Sequence, residues 1–109
     1  MSVLIVRVGD GETVQFDHSF TAGRASEKHH PDLVLDDSFA STLHAGFTYV
    51  PYQGWYVQDM GSTNGTWLND VTDDGKYTYS KLARVWEPAL LNRGDKVRIG
   101  MTILTCVPV

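Results

Sequence analysis

The sequence carries a single cysteine, Cys106, among 109 residues. A lone thiol cannot close an internal disulfide, so the class of small disulfide-stapled domains is excluded. Its strand-like surroundings mark it as buried, and a reducing compartment fits. No apolar run approaches the ~18–20 residues needed to span a bilayer, and no membrane insertion is expected. The apolar start, Met1 to Val6, is short, has no basic segment before it, and is followed by Arg7 and Asp10. That pattern argues against a signal peptide and for an intracellular, cytoplasmic protein. A basic stripe is also missing, and the net charge is −4, which argues against nucleic acid as a partner. Internal repeats, linkers and low-complexity tracts are absent. The adjacent His29 and His30 point apart in an extended segment, so they are poor joint metal ligands, and no metal or cofactor is expected.

What the sequence does have is short β-branched and aromatic runs, with 42% hydrophobic residues overall. Long helical periods do not occur. Strands are expected over 3–8, 13–16, 20–22, 33–35, 45–50, 55–60, 66–71, 76–82, 96–99 and 102–107. Asp10-Gly11, Pro51 to Gly54, Asp73-Asp74-Gly75 and Gly94-Asp95 are the turn signals between them. Turn residues every ten or so positions predict an all-β sandwich, and the length predicts one domain over residues 1–109.

One stretch organises the rest. Residues 59–69 read Asp-Met-Gly-Ser-Thr-Asn-Gly-Thr-Trp-Leu-Asn. Gly61 and Gly65 tolerate positive φ, and Asn64 does so better than most residues. Ser62, Thr63 and Asn64 place two hydroxyls and an amide side by side between two strands. Taken alone, Ser-Thr-Asn-Gly is an ordinary hairpin turn. Two further polar loops, 24–32 and 36–44, give it company. Arg24 follows a glycine at a strand end, and its guanidinium offers a fork of donors with permanent charge, which suits a phosphate. Ser41 and Thr63 add neutral donors. Asn64 both donates and accepts, which suits a peptide backbone. Lys28, His29 and His30 add local positive charge to an acidic chain.

These residues resemble the forkhead-associated (FHA) domain, a phosphothreonine-binding β-sandwich. The resemblance rests on Gly23-Arg24, on Ser41-Thr42-Leu43-His44, on Ser62-Thr63-Asn64-Gly65-Thr66 with Asn69, and on Leu91-Asn92-Arg93-Gly94-Asp95 with Gly100. It covers about residues 3–107. Each motif is weak alone, but their order and spacing together are specific. The resemblance implies an eleven-stranded sandwich of the SMAD/FHA type whose loops at one end bind a phosphopeptide. It implies that Arg24, Ser41 and Thr63 contact the phosphate, and that Asn64, with Thr42, contacts the peptide main chain. His44 would brace the Ser41 loop from inside. Gly23 and Gly65 would permit the backbone geometry, with Ser62 and Asn69 supporting the site. The implied partner is a protein phosphorylated on threonine by a Ser/Thr kinase, and the implied protein is a binding module, not an enzyme.

Two departures stand out. Thr42 occupies a position where the family usually carries Arg, Asn or Lys, so a peptide contact is shortened or missing. The connection from Asn69 to Leu91 is longer than usual. It reads as a lengthened hairpin with its tip away from the phosphate loops, followed by a return of Ala83–Leu90 toward the binding end. Lys28, Arg84 and Trp86 are then candidates to flank the peptide groove, although Trp86 also fits a role in capping the core. An alternative keeps the sandwich and drops phosphate dependence, leaving a scaffold that binds through another face. An enzyme is the third reading, but no Ser-His-Asp order or metal spacing supports it.

Overall fold

In the computed structural model, residues 2–71, 77–81 and 87–109 are described, without the side chains of 70, 71 and 77–81. Strand β1 (Leu4–Val8) shows why this chain makes strands: Leu4 and Val6 are fully buried, while Ile5 and Arg7 face the other way. The same alternation buries Val97 and Ile99 of β10 (Asp95–Ile99) and Leu104 and Cys106 of β11 (Thr102–Pro108). Every second residue of a strand lies on one face, so each of these strands gives one face to the core. The remaining strands are β2 (Thr13–Phe16), β3 (Phe20–Gly23), β4 (Leu33–Val34), β5 (Ala45–Val50), β6 (Gly54–Asp59), β7 (Thr66–Val71), β8 (Tyr77–Lys81) and β9 (Ala89–Leu90).

They form two sheets. One is six-stranded, in the order β2-β1-β11-β10-β7-β8, and the other is five-stranded, in the order β4-β3-β5-β6-β9. The expectation of an all-β sandwich is met. The two sheets enclose a core in which Phe16, Phe20 and Phe47 stack in succession, with ring centroids 3.6 and 4.7 Å apart. Phe20 and Tyr49 both lean on Trp55, which is fully buried. Cys106 is buried as expected. Desolvation, with the nearby Asp95 charge adding to it, pushes its thiol up to about 12, so it is an inert core residue.

Register sets which loops share an end. Ala22 pairs with Ala45, and Ala45 pairs with Asp59, so β3 ends, β5 begins and β6 ends at one level. In the other sheet Thr66 pairs with Ile99, which puts the start of β7 beside the turn between β10 and β11. The loops after β3, β4, β6 and β10 therefore gather at one end of the sandwich.

The lengthened hairpin is present: Trp67 pairs with Lys81 and Val71 with Tyr77. Its tip lies outside the described residues. Because β7 starts at the loop end, the hairpin points away and Lys81 brings the chain back beside Trp67. Arg84 and Trp86 also lie outside the described residues, so their expected place beside the groove is not on view. Beyond them the sequence reading had no strand, yet Ala89 and Leu90 pair with Val57 and Tyr56 and form the sheet edge. The Leu91 N–H continues this by donating to the Trp55 carbonyl, at 2.8 Å.

Candidate functional site

Gly23 ends β3 with the loop before β5 lying directly on it. A Cβ there would sit 2.4 Å from the Thr42 carbonyl oxygen and 2.6 Å from that of Ser41. Glycine is required by this close approach and not by a positive φ. Gly65, by contrast, does sit at φ 82°. Asn64 does not take a positive φ; its side chain is what the loop uses.

The approach at Gly23 fixes Arg24. Its N–H donates to the Ser41 carbonyl at 3.0 Å, and its Nε donates to the Ala40 carbonyl at 3.2 Å. The guanidinium is thus aimed by one nitrogen. Its two terminal nitrogens meet no partner among the described residues, and the side chain is exposed. A fork of charged donors is left presented to solvent.

His44 joins the second and third loops. It is fully buried. Its Nδ1 accepts the Ser41 N–H at 3.0 Å, and its Nε2 faces the Gly65 carbonyl at 2.8 Å. Those partners fix the tautomer with the proton on Nε2, donating to Gly65. The main chain of His44 is tied as well: its N–H reaches Ala22 and its carbonyl accepts from Met60. The His44 ring thus links the Ser41 loop to the Gly65 loop from within the fold.

Ser41 and Thr63 meet across the gap. The Thr63 N–H donates to Ser41 Oγ at 3.1 Å. The Ser41 hydroxyl accepts there and keeps its own proton for another acceptor. Asn64 Nδ2 donates to the Phe39 carbonyl at 2.8 Å, which ties its loop to the β4–β5 loop. Arg24, Ser41, Thr63 and Asn64 are therefore brought together by a lattice of bonds between side chains and main chain; Arg24, Thr63 and Asn64 are exposed and Ser41 is half-buried. Thr42 sits among them, half-buried, with its carbonyl against Gly23.

Ser62 is a supporting residue. Its hydroxyl bonds to Asp59 Oδ1 and accepts the Gly65 N–H at 2.9 Å, so it is fully used. Asn69 is buried away from the loops, where its Oδ1 accepts the Lys96 N–H and links β7 to β10. Lys28 is exposed in a turn closed by bonds between Ser26 and His29.

Two carboxylates escaped the sequence reading. Asp59 accepts from the N–H groups of Gly61 and Ser62, both at 3.2 Å, from the Ser62 hydroxyl, and from Thr66 Oγ1 at 2.8 Å. It is the frame of the Ser-Thr-Asn-Gly loop. Its signal was an Asp two and three residues before Gly and Ser, the pattern of an Asx-turn. Asp37 does the same for the second loop. It accepts from the Phe39 N–H at 2.9 Å and, across the sandwich, from the Met101 N–H and Thr102 Oγ1, each at 2.7 Å. Burial pushes its carboxyl up, but the bonds from Thr102, Phe39 and Met101 outweigh that and hold it below its ordinary value. Gly100, at φ 61°, makes room: a Cβ there would stand 2.7 Å from Asp37 Oδ2.

Comparison with known proteins agrees with this architecture. The family profile described as the FHA domain matches residues 20–100. The chain is 38% identical over 86 residues to the FHA domain-containing protein FhaB of Mycolicibacterium smegmatis, covering 79% of this chain and 45% of that protein. The FhaB protein of Mycobacterium tuberculosis is 37% identical over the same length and share. The chain thus spans less than half the length of these relatives. Among solved structures, the FHA domain of the CT664 protein from Chlamydia trachomatis superposes with a TM-score of 0.70 at 21% identity, covering 97% of this chain and 95% of that one. A structure from an analysis of phosphothreonine-dependent FHA domain interactions gives 0.69 at 23% identity, covering 98% and 96%. With the profile spanning most of its length and the sandwich in place, this chain belongs to the FHA domain family.

Proposed function

We propose that residues 1–109 act as one phosphothreonine-dependent binding module that recruits a protein phosphorylated by a Ser/Thr kinase. The observation that carries this reading is the pair of cross-braced loops that hold Arg24, Ser41 and Thr63 with unspent donors at one exposed spot. A phosphothreonine brings about −1.5 to −2 charges and three acceptor oxygens at pH 7. The Arg24 fork and the two hydroxyls are matched to those oxygens, and charge-assisted bonds of this kind are each worth about 1.5–3 kcal/mol. Asn64 Oδ1 and Thr42 then face the peptide main chain on either side of the phosphate.

The site reads as a receptor, not a catalyst. Ser41-x-x-His44 has the composition of a serine–histidine pair, but His44 bonds the Ser41 main chain, and both its nitrogens are occupied. No base is within reach of the Ser41 hydroxyl through that ring. Among the described residues no helix is long and apolar enough to cross a membrane. We assign the module to the cytoplasm, where Ser/Thr kinase substrates are found.

An oriented library of phosphothreonine peptides passed over the immobilised domain tests the proposal. Retention of a defined subset, lost after phosphatase treatment, is the expected result. Equal retention before and after phosphatase would overturn it.

A further inference from the structure

Trp67 and Arg98 stand directly opposite each other across the ladder between β7 and β10. The next pair, Leu68 and Val97, packs into the core, so Trp67 and Arg98 lie on the outer face of the six-stranded sheet. The exposed Arg98 guanidinium sits over the half-buried Trp67 ring, 5.6 Å from its centroid, and steadies it. A half-buried indole has one polar group to satisfy, its N–H. Here that group turns back toward the Ser-Thr-Asn-Gly loop: Trp67 Nε1 donates to the Asn64 carbonyl at 3.2 Å.

That carbonyl belongs to the peptide unit joining Asn64 to Gly65. The N–H of the same unit donates to Ser62 Oγ at 2.9 Å, so the unit is fastened on both sides. Gly65 sits at φ 82°, whereas Asn64 does not take a positive φ. Between two such residues a peptide unit can turn over, as in the exchange of type I and type II turns: ψ of the first residue and φ of the glycine change together. Turning over here would break both bonds. Asn64 is held a second time by its side chain, whose Nδ2 donates to the Phe39 carbonyl. The next carbonyl, that of Gly65, faces His44 Nε2. His44 therefore holds the loop from within the fold, and Trp67 holds it from the outer face.

We propose that Trp67 is a positioning residue for phosphopeptide binding: its indole N–H fixes the Asn64–Gly65 peptide unit and so fixes Asn64 against the ligand main chain. This deepens the phosphothreonine reading above and rests on it. Phenylalanine at the same position would keep a ring beneath the Arg98 guanidinium and lose only the donor. Trp67 also walls a cavity of about 260 Å³ beside Asn64, so direct contact with the ligand is the competing role.

A double-mutant cycle separates the two roles. A library-selected phosphothreonine peptide is titrated against wild type, Trp67→Phe, Asn64→Ala and the double variant. Trp67→Phe should weaken binding about three- to tenfold, the worth of one neutral hydrogen bond, and should cost nothing further once Asn64 is alanine. In an Arg24→Lys background the full loss should remain. Equal affinity of Trp67→Phe and wild type overturns the proposal. So does a loss that persists in Asn64→Ala, which assigns Trp67 to direct contact, or one that disappears in Arg24→Lys. Hydrogen exchange of the free protein gives a second reading. The Gly65 amide should exchange about three- to tenfold faster in Trp67→Phe, and by a smaller factor in Arg98→Ala, with the amides of β1 and β11 unchanged. Unchanged exchange at Gly65, or equal acceleration throughout the sheet, overturns the proposal. Failure of the phosphopeptide to bind wild type overturns the phosphothreonine reading, while the exchange rates still decide whether Trp67 holds the loop.

Discussion

The two ends of the β5–β6 hairpin are built in opposite ways. At the far end, Val50 to Gly54 closes as a tight turn with one backbone bond, Gln53 N–H to Val50 carbonyl at 3.0 Å. Tyr52 sits there at φ 66°, fully exposed, in a left-handed conformation that suits Gly or Asn far better. At the near end, β5 and β6 run into loops held by polar side chains: buried His44, half-buried Asp59 and, from across the sandwich, buried Asp37. A main-chain turn is sufficient at the far end. At the near end the irregular backbone is fastened by polar side chains, and its rigidity depends on individual residues.

That contrast predicts a ranking of substitutions. His44→Ala comes first. It empties a buried ring and strands the Ser41 N–H and the Gly65 carbonyl, so unfolding free energy should fall by about 3 kcal/mol in urea titrations. Phosphopeptide affinity should fall with it. A loss below 1 kcal/mol would mean that the near end is no more dependent on side chains than the far end.

Asp37 comes next, with a pH signature. Its folded-state carboxyl titrates below the unfolded value, so its contribution is full above the unfolded value of about 3.9 and is lost as pH falls through the folded one. Asp37→Asn should therefore cost about 2 kcal/mol near neutral pH, and the difference from wild type should shrink below about pH 4. Parallel stability curves down to pH 2 would contradict this.

The smallest effect belongs to the far end. Tyr52→Asn should stabilise the fold by about 0.5–1 kcal/mol, because Asn tolerates the left-handed region, and should leave phosphopeptide titrations unchanged. Destabilisation would show that the exposed ring has a partner in the fold.

The strands were legible because each sheet buries one face, and alternation in β1, β10 and β11 carries that directly. The family motifs singled out Arg24, Ser41, Thr63, Asn64 and His44, which the fold ties together at one end of the sandwich. What sequence could not supply is the far half of a long-range bond. Asp37 reaches Met101 and Thr102, 64 and 65 residues away, and nothing local to Asp37 points there. Asp59 carried a local signal, but the more conspicuous residues beside it hid the frame they depend on. Gly23 was read as permitting the backbone geometry, and the physical reason, the space beneath the Thr42 carbonyl, needed the structure. Strand β9 was missed because two residues after Pro88 show no period; β6 creates it by offering an open edge.

The most direct test is calorimetric titration of a library-selected phosphothreonine peptide and its unphosphorylated twin against wild type and Arg24→Ala. The account predicts that the phosphopeptide binds, the twin gives no measurable heat, and Arg24→Ala weakens binding at least tenfold, or about 1.4 kcal/mol. A folded Arg24→Ala that binds as tightly as wild type, or a twin that binds as well as the phosphopeptide, would contradict it.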